Sequence, residues 1–302
     1  MSNQPTVCCV MLTRDRPELA AKAVECWKSQ TYNPMGCRLL IYDTGIKPLG
    51  LDAEALGLKC RFSDGHTGVM YQRGQIVGTI GQHRNAANEY ASQPHAGFKA
   101  HDILIHFDDD DWSHPNRIAE QVAFLQISGA DVVGYNQMLF WRSMTRCPEL
   151  HGIPCCDSGM RSGGRAHDRE CSSQQTINYG EAWLYTAAAG LTPALGTSLC
   201  YWRKTWERQP FNPALPKAGG GMSEETEFLR GLKCASISSL AQVRATAPLV
   251  DVGEPRMIAR IHGANFGKYD IENQIARGSN AKPGEGWERV PKWDRRVREI
   301  LA

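Results

Sequence analysis

Apolar and polar positions follow two alternating rhythms along the first half of the chain. Short apolar runs at Thr6 to Leu12, Arg38 to Tyr42, Asp102 to Phe107 and Asp131 to Tyr135 read as buried strands. Between them, apolar residues recur at helical spacing: Leu19, Ala23 and Trp27 behind Pro17, a stretch from about Gln82 to Ala91, and Ile118, Val122 and Leu125. Pro17 and Pro115 suit first helical turns, and Ser113 or His114 is the expected cap of the third helix. Strands alternating with helices predict an α/β fold, a mainly parallel sheet flanked by helices on both faces.

The rhythm lapses at about 142–180, a Gly-, Ser-, Arg-, Cys- and His-bearing segment expected to be a long loop or insertion. It resumes at Trp183-Leu184-Tyr185 and at Gly196 to Trp202. Ser223-Glu224-Glu225-Thr226 resembles a capped helix start with acids in the first turn, and Phe228 and Leu229 are expected to face inward. Short strands are predicted at Pro248 to Val252 and Met257 to Ile261. The expected division is one domain over 1–277, with a first half to about 141, the insertion at about 142–180 and a second half at about 181–277. A polar, basic tail follows at 278–302.

The chain has 302 residues and a formal charge of +2, too small to argue for nucleic acid by itself. Its 11 cysteines are an odd number, and Cys8, Cys9 and Cys200 lie in apolar strands, which points to reduced buried thiols and a cytoplasmic protein. A basic-then-apolar leader is not visible at the start, and the best membrane-span candidate, Ala187 to Tyr201, is broken by Gly190, Pro193 and Gly196.

Against this frame one feature stands out. Asp108-Asp109-Asp110-Asp111 directly follows the apolar run Ile103 to Phe107. Carboxylates crowded at the end of a buried strand repel one another and lose hydration. A hard divalent cation resolves the conflict, held by one or two carboxylates while substrate phosphates complete its shell. An oxygen-only donor set argues for Mn²⁺ or Mg²⁺ over zinc.

Other segments extend the pattern. They are Val10-Met11-Leu12-Thr13-Arg14-Asp15-Arg16-Pro17, Asp43 after the second strand, Gly81-Gln82-His83-Arg84-Asn85-Ala86-Ala87, Phe107 to Pro115, and Gly221-Met222-Ser223-Glu224-Glu225-Thr226-Glu227-Phe228. In this order they resemble the family 2 glycosyltransferases, over about 6–142 and 180–267. The resemblance implies the GT-A nucleotide-sugar fold and transfer of a sugar from a nucleotide-sugar donor to an acceptor hydroxyl. The donor would be UDP-linked, and the anomeric centre would be inverted. Two departures are visible: Asp15 stands where the family has Asn, and Glu225 where it usually has Asp.

Thr13 and Arg16 lie on the first strand-to-helix turn, a natural nucleotide-contact region. Asp43 can accept hydrogen bonds from a base or ribose, and Arg84 can contact base or diphosphate as a planar charged donor. The resemblance implies Asp109 toward ribose or sugar, Asp110 on the metal, Asp108 beside it, and Asp111 as an alternative helix cap. Glu225 is the expected general base and Glu224 its competitor. His262 follows a predicted strand and reads either as a metal or diphosphate contact or as a structural histidine. Trp183, Tyr185 and Trp202 read as sugar-stacking or core residues.

The insertion adds Cys147, His151, Cys155, Cys156, His167 and Cys171, with a Cys-x3-His-x3-Cys spacing that suits a zinc ion as well as incidental thiols. A variant acceptor is hydroxymethylated pyrimidine in DNA, contacted by the Arg-rich loop and the basic tail. Nucleotidyl transfer shares the strand-end acids, but Thr13 to Pro17 is not a Gly- and Lys-rich phosphate loop. The donor sugar, acceptor identity and oligomeric state are not legible.

Overall fold

A computed structural model describes residues 4–32, 36–49, 68–94, 100–146, 154–155, 177–187, 194–215, 223–238, 255–261 and 286–302. In chain order the elements are β1 (Val7–Thr13), α1 (Pro17–Lys28), β2 (Cys37–Asp43), β3 (Val69–Arg73), α2 (Ile80–Ala91), β4 (Ile103–His106), β5 (Trp112–Ser113) and α3 (Arg117–Ser128). Then come β6 (Val132–Arg146), β7 (Pro154–Cys155), β8 (Ile177–Thr186), β9 (Cys200–Trp202), α4 (Arg203–Arg208), α5 (Glu224–Phe228), β10 (Cys234–Ser238), β11 (Met257–Ile261), β12 (Gly286–Arg289) and the C-terminal helix α6 (Asp294–Leu301).

The sheet runs β12-β8-β6-β9-β4-β1-β2-β3. Its body β4-β1-β2-β3 is parallel, with Thr13 opposite Asp43 at the shared C-terminal end. β9 enters antiparallel between β4 and β6. Strand β6 begins beside β10 in parallel, then continues antiparallel to β8 and parallel to β11.

The continuous apolar runs have a simple cause: both faces of the sheet body are covered. Val7, Cys9 and Met11 pack with Ala20, Ala23, Val24 and Trp27 of α1 and with Ile118, Val122 and Leu125 of α3. Their alternates Cys8 and Val10 pack with Ala87 and Ala91 of α2, Tyr201, Phe211 and Phe228. Cys8, Cys9, Cys37 and Cys200 are buried free thiols.

Several expectations change in detail. The structure adds β3, whose sequence Val-Met-Tyr-Gln-Arg is too mixed to signal a buried strand. Helix α3 begins after Asn116, so neither Ser113 nor His114 nor Asp111 caps it; Ser113 belongs to β5, which pairs with β11. The expected loop from 142 is strand at both ends, since β6 and β8 pair from Gln137↔Thr186 to Arg146↔Ile177. The basic C-terminal stretch is anchored: β12 pairs with β8, and Val297 and Leu301 of α6 pack with Leu139, Leu184 and Ile258. The predicted strand at Pro248 to Val252 lies outside the described residues. Among the described residues no helix is long and apolar enough to cross a membrane.

Candidate active site

The acidic residues collect where the parallel strands end, the edge at which open α/β sheets carry ligands. Backbone chemistry prepares the edge. Asp15 has φ 52°, a left-handed conformation that Asp and Asn both tolerate, so the departure from Asn keeps the turn. Its Oδ1 accepts the Ile46 N–H at 2.8 Å, tying the turn after β1 to the one after β2. Helix α2 starts with a reciprocal cap: Thr79 Oγ1 accepts from Gln82 N, and Gln82 Oε1 accepts from Thr79 N. Gly81 and Asn85 of the same helix dock the segment 211–215. A Cβ on Gly81 would sit 2.3 Å from the Asn212 carbonyl, and the Asn85 amide both donates to Phe211 O and accepts from Phe211 N.

On this edge Thr13 donates to Asp109 at 2.7 Å, and Arg16 pairs with Asp109 at 2.6 Å and Asp110 at 3.0 Å. Arg84 is buried among three carboxylates: Asp108 at 3.5 Å, Glu225 at 3.4 Å and Glu224 at 3.8 Å. One guanidinium therefore joins the acidic turn after β4 to the start of α5. Arg117, also buried, donates to the carbonyls of His106 and Thr197, to Ser113 Oγ and to Gln121 Oε1, with its guanidinium over the Phe107 ring. The sequence signals neither this residue nor His106, because a buried polar side chain in a helix or strand looks like any other until its partners are known.

Asp43 is enclosed. Its oxygens accept from Gly45 N at 2.8 Å, Leu49 N at 3.1 Å, Tyr71 Oη at 2.6 Å and Arg73 Nη1 at 2.6 Å. Burial pushes its pKa up, but the hydrogen bonds from Tyr71, Gly45 and Arg73 outweigh that, and the carboxyl lies below its ordinary value. With both oxygens engaged, the groups that face outward from this corner are Tyr71 and Arg73. They sit two apart on β3, the strand that the apolar pattern missed.

Asp109, Glu224 and Asp111 are pushed the other way. Burial raises Asp109 to about 7, with Asp110 adding repulsion and Arg16 offsetting part of it. Burial raises Glu224 to about 8, aided by Glu225 and opposed by Arg84. Burial likewise raises Asp111, reinforced by Asp110 and Asp108. The unfolded chain loses these protons near 3.8 for Asp and 4.5 for Glu, whereas the folded protein keeps those of Asp109 and Glu224 up to about 7 and 8. Folding therefore takes up protons across that window, and stability falls as pH rises through it. The urea midpoint of the ligand-free protein is expected to drop between pH 5 and pH 8; a flat or rising profile would contradict these environments.

A divalent cation fits this corner on two grounds. The donors are hard carboxylate oxygens, and Asp111 Oδ2 is buried with no hydrogen-bond donor among the described residues. The described residues bring no three His, Cys, Asp or Glu side chains together as a closed metal cage. His262 lies outside the described residues. So do Cys147, His151, Cys156, His167 and Cys171, while Cys155 is described only as backbone in β7, opposite Thr145. Of the three aromatic residues, Trp183 and Tyr185 pack against the cluster around Phe140 and Met257, and Trp202 against the one around Val133 and Cys200.

The fold is that of an α/β protein with a mostly parallel sheet flanked by helices and acids clustered at its strand ends. No family model matches the chain, and no curated protein does. Among solved structures it resembles residues 1–349 of S. aureus TarS, with a TM-score of 0.51 and 11% identity over 84% of this chain and 60% of that one. The same TarS segment in complex with UDP-GlcNAc aligns at 0.49, with 11% identity over 87% and 60%. The mannosyltransferase PcManGT from Pyrobaculum calidifontis, in complex with GDP-Man and Mn²⁺, aligns at 0.49 with 13% identity over 100% and 70%. The chain thus spans about 60% of the TarS segment. What the chain shares with the first TarS structure is the fold, a mostly parallel sheet flanked by helices.

Proposed function

We propose that this protein is a glycosyltransferase that moves a sugar from a nucleotide-sugar donor, UDP-linked, to an acceptor hydroxyl with inversion. One observation carries the reading. A single buried guanidinium, Arg84, holds Asp108 of the strand-end acids and Glu225 of α5 at 3.5 and 3.4 Å. Donor-side acids and a candidate base thus lie within one side chain's reach of each other.

Asp110 and Asp108 would hold Mn²⁺ or Mg²⁺, which supplies charge neutralisation to the departing diphosphate. Asp109 is enclosed, its side chain 0% exposed, and serves the donor side at one remove by fixing Thr13 and Arg16. Asp43 acts at one remove, by holding Tyr71 and Arg73. Glu225 is the better base of the α5 pair: its side chain is 17% exposed, against 3% for Glu224. The Glu225 carboxylate removes the acceptor's hydroxyl proton as that oxygen bonds to the anomeric carbon. The bond from that carbon to the phosphate oxygen breaks, and the nucleoside diphosphate leaves.

The test is thermal shift with UDP and Mn²⁺. A ligand at a hundred times its Kd stabilises by about 2.7 kcal/mol, a few degrees in a domain of this size. The shift is expected with both ligands present and is expected to vanish in Asp110→Ala. No shift in the wild-type protein with any of a panel of nucleotide sugars would sink the reading, and a shift that persists in Asp110→Ala would sink the metal assignment.

A further inference from the structure

The carboxylate proposed as base rests against a turn, and the turn is held by a buried histidine. A Cβ added to Gly196 would meet the Glu225 Cγ and Cδ at 2.7 Å, so the backbone there is in direct contact with that side chain. The Gly196 carbonyl lies 2.7 Å from His106 Nδ1. His106 Nε2 lies 3.3 Å from Tyr201 Oη, and Tyr201 Oη accepts from Asn88 Nδ2 at 2.9 Å.

For a neutral ring these contacts admit one consistent direction. Gly196 O can only accept, so Nδ1 carries the proton; Nε2 then accepts from the Tyr201 hydroxyl, whose oxygen accepts from the Asn88 amide. The histidine is buried at 1% exposure as the last residue of β4, with the Nδ1 proton assigned from the Gly196 carbonyl. Asn88 lies one helical turn beyond Arg84 on α2, and both are buried. The contacts therefore close on themselves. Arg84 reaches Glu225 directly, and Asn88 reaches it through Tyr201, His106 and Gly196. Arg117 adds a second brace to the same turn through the Thr197 carbonyl at 3.1 Å.

We propose that His106 is a positioning residue for Glu225, setting the plane of the Gly196 peptide against which the carboxylate lies. It touches neither donor nor acceptor, and the inference rests on the transferase reading for Glu225 as base. Gly196 is its necessary partner, because any side chain there would displace the carboxylate.

The experiment compares His106→Leu, which removes the donor to Gly196, with His106→Asn, whose Nδ2 occupies the place of Nδ1. Turnover of a nucleotide sugar is measured at saturating Mn²⁺ with UDP-GlcNAc and GDP-mannose as probes. A misplacement of the base by about 1 Å costs up to about a hundredfold in rate. His106→Leu is expected to lower kcat about 10- to 100-fold with donor KM within about twofold, and His106→Asn to recover most of it. Equal loss in both variants, or a rise in KM with kcat intact, overturns the proposal.

A second readout does not depend on turnover. ¹⁵N NMR of the full chain is expected to show a proton on His106 Nδ1. The Glu225 carboxyl ¹³C resonance, assigned with Glu225→Gln, is expected to move in His106→Leu and stay in His106→Asn. The Nε2–H tautomer, or an unmoved Glu225 resonance in His106→Leu, overturns it. If the wild-type protein turns over no sugar nucleotide, the transferase reading fails, while the NMR result still decides whether His106 positions Glu225. If His106→Leu does not fold, the tautomer and the His106→Asn spectrum decide.

Discussion

Glu225→Gln is expected to lower the rate of sugar transfer by about 10² to 10⁴, the range that positioned proton transfer contributes. The substitution keeps shape and length, so Gln can still accept from Arg84 and still rest against Gly196. What it loses is the capacity to take a proton. Donor binding should therefore be nearly unchanged, and UDP with Mn²⁺ should stabilise the variant as it does the parent. The loss should fall on kcat, because the missing interaction exists only as the acceptor attacks. Glu224→Gln is the control. Its side chain is 3% exposed, too enclosed to meet an acceptor, so its effect on kcat should be far smaller. Equal losses in the two variants would mean that the pair acts as a unit, and normal transfer by Glu225→Gln would place the base elsewhere.

Arg84→Met is expected to destabilise the ligand-free protein by about 3–5 kcal/mol, the usual cost of stripping a partner from buried charge. Its guanidinium is 6% exposed and faces Asp108, Glu224 and Glu225. Methionine fills much of the volume but leaves those carboxyls without their shared cation. Urea unfolding at pH 7.5 measures the loss. Lowering the pH should shrink it, since protonated carboxyls no longer need the cation. Glu224→Gln in the Arg84→Met background should restore part of it, and a double-mutant cycle gives the coupling. A variant as stable as the parent at pH 7.5 would show that Arg84 is not the counter-charge of this cluster.

The two acids of α5 show where reading the sequence stops. The capped start at Ser223 is legible, and Ser223 Oγ does accept from Thr226 N. Which glutamate faces outward is not, because that depends on Arg84, 141 residues away along the chain from Glu225. Arg84 itself is expected from sequence to meet base or diphosphate, yet it lies among carboxylates. Asp43 is expected to accept from a nucleotide, yet Tyr71, Arg73 and backbone N–H groups fill its oxygens. The missed strand β3 explains that gap, since its mixed sequence hides both Tyr71 and Arg73.

The linear order of residues by itself determined the parallel α/β body and the placing of four consecutive aspartates at the end of a buried strand, because apolar periodicity and local turn chemistry are short-range properties. Only the tertiary structure decided which acid is caged, which is paired and which is the more exposed. Those states are set by burial and by partners from distant strands and helices, and a side chain's charge and freedom follow from its neighbours in space.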